Sequence, residues 1–355
     1  MDSYPVTDPS RLERKLFDAG LVQEVPLSEI YDVKGRTTIQ RSWQDPAAVS
    51  ATLDIQEPEC WRNRLLSSMR GEFFACALEG CERVLDVGCG EGWPSLYLAR
   101  TTREVVGLDC SAVNVDLARN TARLMRLDNV RFKVGRIEKL PFADRSFDGV
   151  CFGGNVFTYR SSPRAMLAEI RRVLRPGCVF AFEQWPVDPS QAPNERVGWF
   201  VDGGPPILHY IAGSGLYSRS YFIYFRRDCE QGNRLGDLAR RPRGELSPEQ
   251  RAVCERIKQE IEDGSLEGVE KIIYSGEDRS LGSDEFPALL KEAGLTEVAS
   301  WALPDAVAFA KSLKADGVLG RLEGGDLIPC LKALVRSSAR TSEWIHQWVT
   351  CRKGA

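Results

Sequence analysis

The segment VLDVGCGEGW, Val84 to Trp93, constrains this chain more than any other. An apolar run, Arg83 to Val87, meets a cluster of glycines and then a stretch, Trp93 to Arg100, with helical apolar spacing, which predicts strand, turn and helix. Glycines at such a turn permit positive φ and let a ligand approach the backbone, while the helix that follows offers unsatisfied N–H groups. The spacing is G-x-G-x-G through Gly88, Gly90 and Gly92, with Asp86 two residues before the first glycine. Dinucleotide folds use G-x-G-x-x-G to cradle a pyrophosphate. A carboxylate at Asp86 would repel a phosphate and suits a ligand with an ammonium group. Asp109 ends the next strand, where a carboxylate accepts hydrogen bonds from ribose hydroxyls. These residues describe a nucleoside carrying a cationic amino-acid tail and no phosphate.

The alternation continues beyond the turn. Strands are expected at Glu104–Asp109, Val130–Val134, Phe147–Phe152 and Cys178–Glu183, with helices at Ala112–Met125 and Arg164–Leu174, the last stopped by Pro176-Gly177. Strands alternating with helices imply a parallel sheet covered on both faces, hence an α/β fold. From Trp185 the rhythm breaks: residues 186–215 are rich in Pro and Gly and read as an irregular excursion. A strand at Tyr217–Arg227, a helix at Pro248–Asp263 opened by Ser247 and a strand at Val269–Tyr274 follow. The rhythm resumes with a helix from Ser283 to Ala293, a strand at Thr296–Trp301, a helical region containing Asp305 to Leu313, and a closing strand at Trp344–Arg352. The expected organisation is therefore an N-terminal extension (1–60), a core (61–185), an inserted α+β cap (186–282) and the remainder of the core (283–355).

Composition narrows the function classes. The chain has 355 residues, 43% hydrophobic and 27% charged, which is ordinary for a globular protein. Lys and Arg total 47 against 50 Asp and Glu, so no surplus of cations argues for nucleic acid as partner. No apolar run reaches the length of a membrane span, and MDSYPVTDPS lacks the layout of a signal peptide, so a cytoplasmic protein is expected. Eleven cysteines form no C-x-x-C pair, and only His209 and His346 could join them, which argues against a metal site. Most of the cysteines read as small hydrophobes, with Cys89 and Cys110 the exceptions beside the ligand.

At this point the chain resembles the class I S-adenosylmethionine-dependent methyltransferases. The resemblance is carried by VLDVGCGEG, by VVGLDCS with Asp109, by LPFADRSFD (Leu140 to Asp148) and by RVLRPG (Arg172 to Gly177), in the family's order. It covers roughly residues 83–185, and SDEFPALLKEAGLTEV with WVTCRK looks like the family's last helix and closing strands. The resemblance implies a Rossmann-like, mainly parallel seven-stranded sheet, S-adenosyl-L-methionine as cofactor and S-adenosyl-L-homocysteine as product. It also implies that Asp86 and the Gly88–Gly92 turn hold the methionine part, that Asp109 holds the ribose, and that Cys110 borders the adenine. Asn155 would neighbour the methionine end or the acceptor. The family's usual Gly-Asp-Ala-Glu is here Gly135-Arg136-Ile137-Glu138; Arg136 cannot accept from the adenine amine, leaving backbone at Ile137, apolar packing or Glu138.

The expected activity is methyl transfer to an O, N, S or C nucleophile of a small molecule. The alternatives are a non-catalytic binding or regulatory protein and an RNA or protein methyltransferase. The acceptor is expected over the ends of the fourth and fifth strands, under the cap, with Glu183, Tyr159, His209 and Tyr210 as candidate bases. The cap segment SRSYFIYFRR has two readings: strand core with a solvated basic end, or a pocket for an aromatic or anionic molecule with an arginine facing the anion. If it is a strand, Tyr221, Ile223 and Phe225 share one face and Phe222, Tyr224 and Arg226 the other. A helix is expected over Glu59–Leu78, with Trp61 and Phe73 facing the cleft or packing on the sheet.

Overall fold

In the computed structural model, the described residues are 9–26, 28–32, 69–154, 162–184, 190, 193–200, 205–238, 248–282, 285–303, 333–342 and 348–354. They fall into two compact units. One takes in the described residues of 42–157, 161–186 and 283–355; the other takes in those of 1–41 and 187–282.

The first unit is built on an eight-stranded mixed sheet. Its order is Arg340–Thr341, Leu295–Trp301, Trp348–Lys353, Leu174–Glu183, Phe147–Phe152, Arg83–Val87, Glu104–Asp109 and Val130–Val134. The last five run parallel, and Trp348–Lys353 lies antiparallel between Leu174–Glu183 and Leu295–Trp301. The expected seven strands become eight through the two-residue bridge at Arg340–Thr341. Strand Arg83–Val87 has Glu104–Asp109 on one side and Phe147–Phe152 on the other, so the strand order reverses beside it. In open α/β sheets the ligand crevice lies at that reversal, outside the strands' carboxyl ends.

Local chemistry explains these elements. Strands Arg83–Val87 and Glu104–Asp109 are buried along nearly their whole length, as continuous apolar runs in a covered parallel sheet require. Helix Ala112–Leu124 starts at Ser111, whose Oγ accepts from the Asn114 N–H at 3.1 Å, and helix Pro163–Val173 starts at Ser162 with proline in its first turn. The strand expected from Cys178 begins at Leu174, directly after that helix. Its pairing shifts between Phe147↔Leu174 and Gly149↔Val179, so the exposed Arg175-Pro176-Gly177 bulges out of the ladder. A helical segment, 69–77, lays Phe73 and Phe74 into the core against Trp301 and Trp348. Phe73 thus packs on the sheet, while Trp61 lies outside the described residues.

The second unit is a five-stranded sheet, ordered Val22–Glu24, Val269–Arg279, Tyr217–Phe225, Ile207–Ser214 and Asn194–Phe200. The first pair is parallel and the rest antiparallel. Two of these strands correct the expectation of an irregular excursion over 186–215. Asn194–Phe200 and Ile207–Ser214 pair in register from Asn194↔Gly213 to Phe200↔Ile207. The prolines and glycines that suggested a loop flank the strands, while Leu208, Tyr210 and Ala212 alternate onto one buried face. The faces expected for the cap strand are present: Tyr221, Ile223 and Phe225 join the core under the helices Arg11–Asp18 and Pro248–Glu262, and Phe222 and Tyr224 join a second cluster with Ile30, Ile207 and Ile273. Arg219 is 2% exposed and bonds to Glu13 and Glu277, so the cap strand's buried arginine is spent on the protein's own carboxylates. Ser247, Ser283 and Asp305 to Leu313 lie outside the described residues. Among the described residues, no helix is long and apolar enough to cross a membrane.

Candidate cofactor and acceptor site

The glycine turn closes on the end of the next strand. The N–H groups of Gly88 and Cys89 both donate to the Leu108 carbonyl, at 2.7 and 3.0 Å, and Gly90 N–H donates to Asp109 Oδ2 at 2.9 Å. The other Asp109 oxygen accepts from the Ser111 N–H at 2.8 Å. Asp109 is thereby fixed in orientation at the strand end. A carboxylate oxygen can accept more than one hydrogen bond.

Gly90 and Gly92 have positive φ for different reasons. At Gly90, φ is +51° and a Cβ would meet nothing within 4 Å; it would project into the open space beside Asp109. At Gly92, φ is +106° and a Cβ would lie 2.9 Å from Leu96 and 3.2 Å from Ala118, so this glycine lets the turn pack against the helices Ser95–Leu98 and Ala112–Leu124. An uncovered backbone beside a strand-end carboxylate held in a fixed orientation suits a nucleoside ligand.

Asp86 lies inside the sheet beneath the turn. It is fully buried, and its Oδ2 accepts from both the Ser95 N–H at 3.0 Å and the Ser95 hydroxyl at 2.5 Å. Through that oxygen it ties the strand before the turn to the helix after it, while Oδ1 is buried without a hydrogen-bond partner among the described residues. Burial pushes its carboxyl up to about 7, against the two hydrogen bonds from Ser95. Ser95 was not singled out from the sequence; its place at the first turn of a helix after Trp93-Pro94 was the available signal.

The Cys89 side chain is 1% exposed within the core cluster, and its Sγ lies 3.0 Å from where a Gly107 Cβ would stand, so its thiol packs under the turn. Cys110 is half-buried beside Asp109, and burial, reinforced by that carboxylate, pushes its thiol up to about 12. Ile137, half-buried, sits in a tight turn in which Arg136 pairs with Glu138 at 3.0 Å. That ion pair engages Glu138, the charged candidate for the adenine contact.

Among the candidate bases, Glu183 ends its strand at the ligand edge of the sheet but is no free base. Arg70, from the helical segment 69–77, approaches it with Nε 2.8 Å from Oε2 and Nη2 donating to Oε1 at 3.0 Å. Glu183 is thus engaged by one hydrogen bond and a close ion-pair contact from the same guanidinium. His209 belongs to the second unit, where it stacks on Phe222 at 4.5 Å, and Tyr210 is fully buried with its hydroxyl between Glu195 and Ser10. Tyr159, Asn155 and Trp185 lie outside the described residues.

A cavity of about 540 Å³ lies at the opposite end of the parallel strands, lined by Cys76, Cys81, Asp148, Cys178 and Arg340 among others. It is remote from the glycine turn, and burial holds the Cys76, Cys81 and Cys178 thiols above their ordinary value, which keeps them protonated and unreactive.

Residues 84–177 match the family model described as a methyltransferase domain. The chain is 39% identical over 127 residues to a phthiotriol/phenolphthiotriol dimycocerosates methyltransferase of Mycobacterium tuberculosis, covering 35% of this chain and 43% of that protein. It is also 39% identical over 105 residues to a fatty-acid O-methyltransferase of Mycolicibacterium smegmatis, covering 28% and 36%. Less than half the length of each relative is thus spanned. A solved amino pentose methyltransferase from Micromonospora echinaspora aligns over 86% of this chain and 95% of its own, at 16% identity and a TM-score of 0.42. The matched segment is a class I S-adenosylmethionine-dependent methyltransferase domain, and S-adenosyl-L-methionine is the cofactor of that class. The four sequence motifs, the strand order and the glycine turn joined to Asp109 agree in this.

Proposed function

We propose that the chain is an enzyme that transfers the methyl group of S-adenosyl-L-methionine to a nucleophilic atom of a small-molecule acceptor. The observation that carries the reading is the Gly90–Asp109 junction, where a backbone left bare by glycine meets a strand-end carboxylate already oriented by two N–H groups. Bound there, the cofactor supplies a sulfonium methyl that needs no further activation. The chain's contribution is to bind and orient. Asp109 accepts the ribose hydroxyls, the Gly88–Gly92 turn admits the methionine part along its backbone, and the turn at Ile137 borders the adenine beside Cys110. What remains for the protein is in-line approach of the acceptor and exclusion of water. The similarity to a phthiotriol/phenolphthiotriol dimycocerosates methyltransferase and a fatty-acid O-methyltransferase favours a small molecule over nucleic acid or protein.

Calorimetric titration of the full chain with S-adenosylhomocysteine tests the site. Asp109→Ala is expected to weaken binding by about tenfold or more, the loss of two hydrogen bonds to a charged acceptor. Unchanged affinity overturns the cofactor assignment. Release of S-adenosylhomocysteine on incubation with S-adenosylmethionine and a small-molecule extract separates the enzyme from a protein that merely binds the cofactor.

A further inference from the structure

We propose that Arg70, held by Glu183, is the point at which this domain recognises the carboxylate of an anionic acceptor. The proposal rests on the methyltransferase reading above and names its substrate class.

The geometry begins with the ends of two neighbouring parallel strands. Phe152 pairs with Phe182, so Gly153 and Glu183 lie side by side where the strands leave the sheet. This is the edge at which ligands of open α/β sheets sit. Gly154 has φ +103°, and among the described residues a Cβ there would meet nothing within 4 Å. A Cβ at Gly153 would lie 3.7 Å from the Phe74 ring. Arg70 stands one helical turn before Phe74, on the same side of the segment 69–77, which brings its guanidinium to the strand ends.

The two partners differ in exposure. The Glu183 side chain is 6% exposed and the Arg70 side chain 37%. Glu183 is engaged through the Nε/Nη2 edge of the guanidinium. Guanidinium is a planar five-donor group, so that contact leaves the Nη1/Nη2 edge, and among the described residues Nη1 meets no acceptor. A buried carboxylate thus fixes the plane of a half-exposed cation whose second edge is shaped for another planar, two-oxygen anion. Glu183 is on this view a positioning residue and Arg70 the binding one.

The test uses the full chain loaded with S-adenosylhomocysteine and titrated calorimetrically with acetate, benzoate and decanoate, each beside its primary amide. Wild type is expected to bind at least one acid about tenfold or more tightly than its amide. Arg70→Met, which keeps the apolar stem, should abolish that preference, and Arg70→Lys should restore part of it. Because Arg70→Met leaves the Glu183 charge unpaired, the double variant Arg70→Met/Glu183→Gln removes both charges and should equally show no preference. Affinity for S-adenosylhomocysteine should be unchanged in all of them. Equal behaviour of acids and amides in wild type, including no binding by either, overturns the proposal, as does a preference that survives in Arg70→Met and the double variant. Failure of wild type to bind S-adenosylhomocysteine would instead sink the methyltransferase reading itself.

Discussion

At the scale of single residues, the two glycines of the turn make separable predictions. Gly90→Ala should cost only about 1 kcal/mol of stability, the strain of a left-handed backbone with a Cβ, yet weaken S-adenosylhomocysteine binding because the methyl enters the open space. Gly92→Ala should destabilise more, by about 1–3 kcal/mol, through overlap with Leu96 and Ala118. Chemical denaturation and calorimetry on the two variants decide this; equal loss of affinity with equal loss of stability would refute the division of roles. Asp86 carries a pH signature. Its folded-state carboxyl, at about 7, holds a proton more tightly than the ordinary 3.8 of the unfolded chain. Its stabilising contribution is therefore full below the unfolded value and is lost as pH rises through about 7. Melting temperature against pH should fall less steeply across that window in Asp86→Asn than in wild type, and parallel curves would show that Asp86 does not titrate there. The sequence showed Asp86 and Asp109 equally well as acids flanking a glycine turn. It did not show that one bonds inward to Ser95 while the other fixes Gly90, because that depends on which strand lies beside the turn.

Among elements, the N-terminal helix Arg11–Asp18 is the least expected. Ser10 and Glu13 form a capping box, a pattern visible in the sequence as S-R-L-E. The same Glu13 carboxylate, fully buried, bonds to Arg219 Nε and Nη2 and to the Tyr221 hydroxyl, so one side chain ends the helix and docks it on the sheet. Burial opposes its ionisation, but Arg219, Ser10 and Tyr221 together hold its carboxyl below the ordinary value. Glu13→Ala should destabilise the unit by about 3–5 kcal/mol, because it removes the carboxylate that the buried Arg219 bonds through Nε and Nη2. Denaturation followed by Trp fluorescence measures it; a loss under about 1 kcal/mol would show that the ion pair does not hold the helix. Strands Asn194–Phe200 and Ile207–Ser214 were illegible for a related reason. Antiparallel strands joined by short connections are recognised by their partners, and their flanking prolines masked the alternation of Leu208, Tyr210 and Ala212.

For the whole molecule, the chain divides into a methyltransferase-type sheet and a second sheet, each with its own core. A ligand stabilises the fold that binds it in proportion to the logarithm of its saturation. Denaturation followed separately through probes in the two units should show S-adenosylhomocysteine shifting the transition of strands Arg83–Val87 and Glu104–Asp109. An equal shift with no ligand contact in the second unit would mean that the two unfold as one.

What the sequence determined by itself is the order of strands and helices from Arg83 to Glu183, the glycine turn, the acid at Asp109 and through them the class of cofactor. These are local signals, set by hydrophobic period, turn chemistry and motif spacing within one supersecondary unit. The tertiary structure decided what each charged group near the site is free to do. Arg70 and Glu183 are 113 residues apart, Glu13 and Arg219 are 206 apart, and neither pairing leaves a trace in local spacing. A carboxylate's chemistry is set by the donors and solvent around it, and those come from segments brought together only by folding.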